Sequence, residues 1–124
     1  MFAALLPIVT GCSDMCANEV ASRAEAPDGK HSAIMFQRDC GATTGFSTQI
    51  SLSASGDEPS GGGNTFRADG NHGAAVTGDW GGPWAEMRWT DNDTLLIRYA
   101  STSRIFERNE QVAGVKIRYQ EVGQ

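Results

Sequence analysis

Residues 26–54, APDGKHSAIMFQRDCGATTGFSTQISLSA, are the stretch that decides the fold. Pro27-Asp28-Gly29-Lys30 predicts a tight turn, because proline presets φ, aspartate bonds its own backbone and glycine accepts a positive φ. The apolar run at residues 33–36 is too short for a helix and predicts a buried strand. Residues 46–55 alternate with period two, which is typical of a strand with one face in a core. The stretch therefore predicts an antiparallel pair joined by a glycine-rich loop.

Residues 18–25, NEVASRAE, show little periodicity and allow either the start of a helix or the first arm of a hairpin. We favour a strand, because a tight turn at Asp28-Gly29 needs a partner for the strand that follows it.

The chain opens MFAALLPIVTGC, in which residues 2–9 are apolar apart from a proline. This run is too short to span a bilayer and fits the apolar region of a signal peptide. Val9-Thr10-Gly11-Cys12 resembles the lipobox of bacterial lipoproteins, which implies that residues 1–11 are removed and that Cys12 is lipidated. No Lys or Arg precedes the apolar run, so we expect a start further upstream or a truncated sequence. The alternative is a buried N-terminal strand in a cytosolic protein.

The chain has three cysteines, and lipidation of Cys12 leaves an even number. We expect a disulfide between Cys16 and Cys40, which persists in an oxidising compartment. The alternative makes Cys40 a nucleophile with His31 or His72 as its base. No catalytic signature surrounds Cys40, and the neighbouring Asp39 disfavours a thiolate.

The PDGK turn and the segment RDCGATTGFST, together with this start, resemble a family of small bacterial envelope lipoproteins over about residues 18–53. The resemblance implies a lipid-anchored protein on the periplasmic side of the cell envelope, and it implies no catalytic residues. Ser13 after the cysteine is compatible with sorting to the outer membrane.

The length of 124 residues indicates one domain, at residues 12–124. Its net charge of −5 argues against nucleic acid as a partner, because nucleic-acid binding needs a basic surface.

Nine of the 15 glycines fall in residues 55–84, which predicts a long loop with one short strand around Phe66. Trp80 and Trp84 flank a Gly-Gly-Pro turn in this loop. Their rings could form a platform for a sugar or a peptide, or could fold back and anchor the loop. We favour the anchor.

The C-terminal third predicts a meander of three alternating strands. A three-residue loop at residues 91–93 places Trp89 opposite Leu95, Met87 opposite Ile97 and Glu86 opposite Arg98, and this register keeps one apolar and one polar face. The aspartates of the loop are too few for a calcium site of EF-hand type and are explained by turn formation. Residues 101–113 predict either an edge strand or an irregular crossover.

The polar face of the meander carries basic residues that only Glu86, with a possible contribution from Glu121, balances: Arg88, Arg98, Lys116 and Arg118. This patch suits an anionic envelope polymer or a lipid head group. The alternative is a solvated sheet face with cross-strand ion pairs.

The sequence therefore predicts an all-β, mainly antiparallel single domain of about five to seven strands, a sandwich or an open barrel. The predicted core consists of Ile34, Phe36, Phe46, Ile50, Leu52, Met87, Trp89, Leu95, Ile97, Val115, Ile117 and Tyr119.

We expect a binding module whose partner is an unknown protein or an envelope glycan, with the membrane contacted through the lipid anchor. The alternative is an inhibitor or immunity-type lipoprotein that blocks an envelope-targeting enzyme with the loop around Trp80. An enzyme is the least favoured interpretation, because the sequence contains no nucleophile elbow, phosphate-binding loop, dinucleotide fingerprint or metal-spaced His/Cys cluster. We expect no cofactor and no metal.

Overall fold

A computed structural model describes residues 16–40, 46–54 and 57–123, and it shows two β-sheets and no helix within those ranges. The five-stranded sheet has the order β1-β2-β3-β4-β7, and the four-stranded sheet has the order β5-β6-β9-β8. The strands are β1 Ala17–Glu25, β2 His31–Asp39, β3 Ser47–Ala54, β4 Phe66–Asp69, β5 Ala85–Asp91, β6 Thr94–Ala100, β7 Arg104–Arg108, β8 Gln111–Val112 and β9 Val115–Val122. The all-β prediction is confirmed, and the architecture is a sandwich.

The predicted turn joins β1 to β2. The Gly29 N–H donates to the Ala26 carbonyl at 2.8 Å, and Gly29 has a φ of 74°. The Lys30 N–H donates to the Asp28 carboxylate at 3.1 Å. The strands pair antiparallel from Ala17 opposite Asp39 to Glu25 opposite Ser32, so the strand interpretation of residues 18–25 is confirmed.

Strand β2 is buried on both faces, which explains its uninterrupted apolar run. Ala33 and Met35 belong to the core between the sheets, whereas Ile34 and Phe36 are buried on the opposite face. Residues 57–62 run along that outer face, where the Asn18 side-chain amide donates to the carbonyls of Pro59 and Gly61, each at 2.9 Å. These hydrogen bonds therefore fix the glycine-rich region at positions other than Trp80 and Trp84.

Most of the predicted core is confirmed. Six of the predicted residues lie in the cluster between the sheets, namely Ile50, Leu52, Leu95, Ile97, Val115 and Ile117. Three more, Met87, Trp89 and Tyr119, are partly buried against that cluster. The prediction for Phe46 is wrong: its side chain is 53% exposed, because it precedes β3 at the end of the sandwich, beyond the last inward residue Thr48.

The predicted register of β5 and β6 is confirmed, with Trp89 opposite Leu95, Met87 opposite Ile97 and Glu86 opposite Arg98. The predicted meander is wrong, because β9 pairs with β6 in parallel. The intervening β7 crosses to the edge of the other sheet and pairs with β4, which confirms the edge-strand alternative for this segment. The described residues form nine strands rather than the predicted five to seven, since short strands also form at β7 and β8.

Candidate functional site

The four predicted basic residues share the outer face of the four-stranded sheet. Arg88 of β5, Leu96 of β6 and Arg118 of β9 stand opposite one another in a single row across three strands. Lys116 lies beside Thr94, one position further along that face. We call this surface the basic face, and it comprises Trp84, Arg88, Leu96, Arg98, Lys116 and Arg118.

Arg98 is the fixed element of the basic face. Its guanidinium lies 5.9 Å from the centre of the Trp84 ring and donates to Glu86 at 2.6 Å and to Gln120 at 3.2 Å. The ion pair neutralises Arg98, and the cation–π contact orients the indole on the surface of the sheet. The structure therefore brings together Trp84 and Arg98, which the sequence analysis had assigned to separate candidate features.

The other three cations of the basic face are exposed, and none forms an ion pair with any described residue. Lys116 lines a shallow depression that also includes Asp93 and Glu110. Arg88 and Arg118 flank the half-buried Leu96, and two strand spacings place their backbones about 10 Å apart. Guanidinium groups at this separation can contact two anionic groups of one extended ligand.

Trp80 does not belong to the basic face. Its indole N–H donates to the Thr48 hydroxyl at 2.8 Å, and that hydroxyl donates to the Pro83 carbonyl at 2.6 Å. The ring packs against the core and over Gly78, where a Cβ would lie 2.4 Å from it. Trp80 thus anchors its loop, which is the interpretation that the sequence analysis favoured. Trp80 and Trp84 do not form one binding platform.

Cys16 and Cys40 form the predicted disulfide, with an S–S distance of 2.01 Å. The bond ties the residue before β1 to the residue after β2. Because Cys40 is oxidised, the nucleophile alternative is wrong. Of its suggested bases, His31 lies apart, since its Nε2 contacts the Ala113 carbonyl at 3.1 Å near the opposite end of β2, whereas the exposed His72 lines the same groove as Cys40. Cys12, the predicted lipidation site, lies outside the described residues.

The sequence interpretation missed a groove of about 700 Å³ on the outer side of the five-stranded sheet, lined among others by Phe46, His72, Arg104 and Phe106. Beside it, Asn71, His72 and Gly73 have positive φ values of 53°, 56° and 91°. Three consecutive left-handed residues are rare in loops. Asn71 and Gly73 are residue types that favour such a turn. No sequence signal indicates that this turn and Phe106, which lies on β7, line the same groove.

Two cross-strand ion pairs border this groove, Arg104–Asp69 and Arg67–Glu107. The Arg104 guanidinium donates to Asp69 and holds the pKa of that carboxyl below its ordinary value, an effect that burial opposes and the Asn71 N–H reinforces. The pKa of Glu107 is lowered by hydrogen bonds from Asn109 and then from Arg67. These pairs fix β7 to β4.

The remaining polar cluster is structural. Tyr99, Tyr119 and Phe66 pack together, and the Arg108 guanidinium lies 4.8 Å from the centre of the Tyr119 ring. Burial raises the pKa of both tyrosines. The Tyr119 hydroxyl donates to the Asn109 carbonyl at 2.6 Å, which fixes the crossover after β7.

Within the described ranges, no group of three or more His, Cys, Asp or Glu side chains is arranged to hold a metal ion. The same part of the chain contains no helix long and apolar enough to cross a membrane. No protein-family model matches the chain, and no curated protein or solved structure shows significant similarity to it.

Proposed function

We propose that this chain is a lipid-anchored interaction module of a bacterial cell envelope that binds an anionic envelope polymer through the basic face. The observation that carries the proposal is the row Arg88, Leu96 and Arg118. In it, two exposed guanidinium groups that pair with no carboxylate of the described residues flank an apolar centre. Together with Lys116 they make three exposed cations on one face, in contrast to the net charge of −5 of the whole chain.

The indole of Trp84 supports a polymer of sugars as the partner. Arg98 holds the ring at the edge of the same face, and a sugar ring packs well against the accessible part of this half-buried indole. An acidic glycan would therefore contact the indole with a sugar ring and the arginines with its charges.

The inhibitor alternative requires a protruding loop around Trp80. Because that indole is turned toward Thr48 and the core, we do not adopt this alternative.

Binding is tested on the full chain carrying Cys12→Ser, with dextran sulfate as the acidic polymer and uncharged dextran as the control. We expect dextran sulfate to bind and salt to weaken the binding. Arg88→Ala/Arg118→Ala should weaken it by roughly tenfold, since two exposed ion pairs at about 0.2–1 kcal/mol each are lost.

The matched control is Arg23→Ala/Lys30→Ala, which removes the same charge from the other sheet and its turn. Equal loss of binding in the two double variants would show that only net charge matters and would refute the basic face. The anchor has a separate test: Cys12→Ser should move the protein from the membrane fraction to the soluble fraction.

A further inference from the structure

Three exposed apolar side chains lie at or near one end of the sandwich. Of the four large apolar side chains that are exposed among the described residues, Phe46 at 53% and Val76 at 50% lie at this end, and Phe106 at 59% lies two residues in from it, on the edge strand β7. The Cys16–Cys40 disulfide lies at the same end, because it joins the start of β1 to the end of β2. The chain therefore enters the fold at the end that carries Phe46 and Val76.

The two phenylalanine rings are held in place at this surface. The Phe46 ring packs on the backbone of Gly81, where a Cβ would lie 2.5 Å from Phe46 Cδ2. The guanidinium of Arg104 lies 5.1 Å from the centre of the Phe106 ring, while Asp69 binds it at 2.5 Å. Both rings line the groove that includes Cys40.

Two of the three arginines that line the groove are neutralised. Arg104 and Arg67 each pair with a carboxylate, whereas Arg38 keeps its charge, since the Asn18 side chain to which it donates is neutral. Apolar contact therefore contributes to what this surface binds, alongside the charge of Arg38. Exposed apolar surface of this kind marks a protein or membrane contact.

The path of the chain identifies the occupant. Cys16 follows Cys12 by four positions in the sequence, and an extended chain of that length reaches about 14 Å at most. A lipid on Cys12 therefore brings the membrane surface to the end of the sandwich that carries the disulfide. The bilayer interface is the apolar phase that this tether places next to Phe46 and Phe106.

We propose that Phe46, Val76 and Phe106 insert into the interface of the membrane that holds the lipidated Cys12, with Arg104 at the level of the head groups. The inference rests on the proposed lipid anchor. Arginine suits this position, because its stem lies along apolar surface while its charge stays in the polar layer. The end of the sandwich that carries the disulfide then faces the membrane, and the far end of β1 points away from it.

The native tryptophans report this orientation. Trp80 lies next to Gly81, on which the Phe46 ring packs, whereas Trp89 donates to the Ala24 carbonyl at 2.8 Å near the far end of β1. Ala24 lies seven residues along the strand from Ala17, which corresponds to about 23 Å.

The test uses the lipidated protein in vesicles of phosphatidylethanolamine and phosphatidylglycerol that contain acyl-brominated phosphatidylcholine. Trp84→Phe/Trp89→Phe leaves Trp80 as the reporter, and Trp80→Phe/Trp84→Phe leaves Trp89. We expect bromine to quench Trp80 roughly twofold or more beyond Trp89, since interfacial groups sit at the boundary of the acyl region.

With all tryptophans except Trp80 replaced, Phe46→Ser/Phe106→Ser should reduce the quenching to the level of Trp89. Val20→Ser, at the remaining exposed apolar side chain, should leave it unchanged. Equal quenching of the two reporters in protein that floats with the vesicles overturns the orientation and leaves the anchor standing. Protein absent from the floated fraction overturns the anchor, and the orientation with it.

Discussion

At the scale of single residues, Gly63 decides how closely the glycine-rich region approaches β3. A Cβ at this position would lie 2.8 Å from the carbonyl oxygens of both Ile50 and Phe66. The Gly63 N–H donates to the Gln49 side chain at 2.8 Å, which holds the backbone in this place. Since the obstructing atoms belong to the backbone of two strands, they cannot move aside without breaking the pairing around them.

We predict that Gly63→Ala lowers the free energy of unfolding by about 1–3 kcal/mol, the usual cost of overpacking a close contact. Gly61→Ala is the matched control, because a Cβ there meets nothing within 4 Å. Urea unfolding monitored by tryptophan fluorescence measures both variants. An unchanged midpoint for Gly63→Ala would contradict the close approach.

The composition of residues 55–84 predicts a loop, but it does not distinguish Gly63 from Gly61. That difference depends on which strand the loop crosses, and this is set by contacts distant in sequence. Phe46 fails as a core prediction for a related reason. Phe46 is an even number of residues from Ile50 and Leu52, so alternation assigns it to the same face of the strand. A period of two indicates that face, but not the point at which the core ends.

At the scale of elements, β7 is an edge strand that two ion pairs and the β4 ladder hold. Asp69 and Glu107 both have pKa values that are lowered in the folded state. A lowered folded-state pKa means that the pair stabilises the fold fully above the unfolded-state pKa, near pH 4. The contribution is lost as the pH falls through the folded-state pKa.

We predict that the free energy of unfolding falls as the pH is lowered from about 4 through the lower folded-state pKa values. Asp69→Asn should make this dependence on pH less steep. Glu19→Gln is the control, since Glu19 is exposed and lies in none of the ion pairs of the described residues. Urea titrations at a series of pH values measure the slope. An identical slope in the wild type and in Asp69→Asn would show that the Arg104 contact does not stabilise β7.

Local pattern predicts the hairpins well, because turn chemistry and alternating side chains together allow a single register. The pair of Trp89 and Leu95 follows from this argument. The parallel pairing of β6 with β9 does not, since nothing within either strand indicates its neighbour. The same limit applies to the candidate site: alternation places Arg88, Arg98 and Arg118 on polar faces, but only the parallel register sets Arg118 beside Leu96.

At the scale of the whole molecule, the disulfide closes the first hairpin at its open end, with a sequence separation of 24 between the cysteines. We predict that Cys16→Ser/Cys40→Ser lowers the free energy of unfolding by about 3 kcal/mol, according to the loop-entropy relation. Cys12→Ser is the matched control and should leave the stability unchanged. Urea unfolding of the full chain compares them, and equal stability of all three proteins would refute a stabilising bridge.

The position of β9 has a consequence for synthesis and export. This strand follows every other described strand in the chain, yet it lies inside its sheet, between β6 and β8, and contributes Val115 and Ile117 to the core. A ribosome-bound chain cannot complete the second sheet before β9 has left the exit tunnel, because pairings between distant segments form late. For a chain that we propose to be exported, this order keeps the second sheet, and with it the complete sandwich, from forming until β9 has been synthesised.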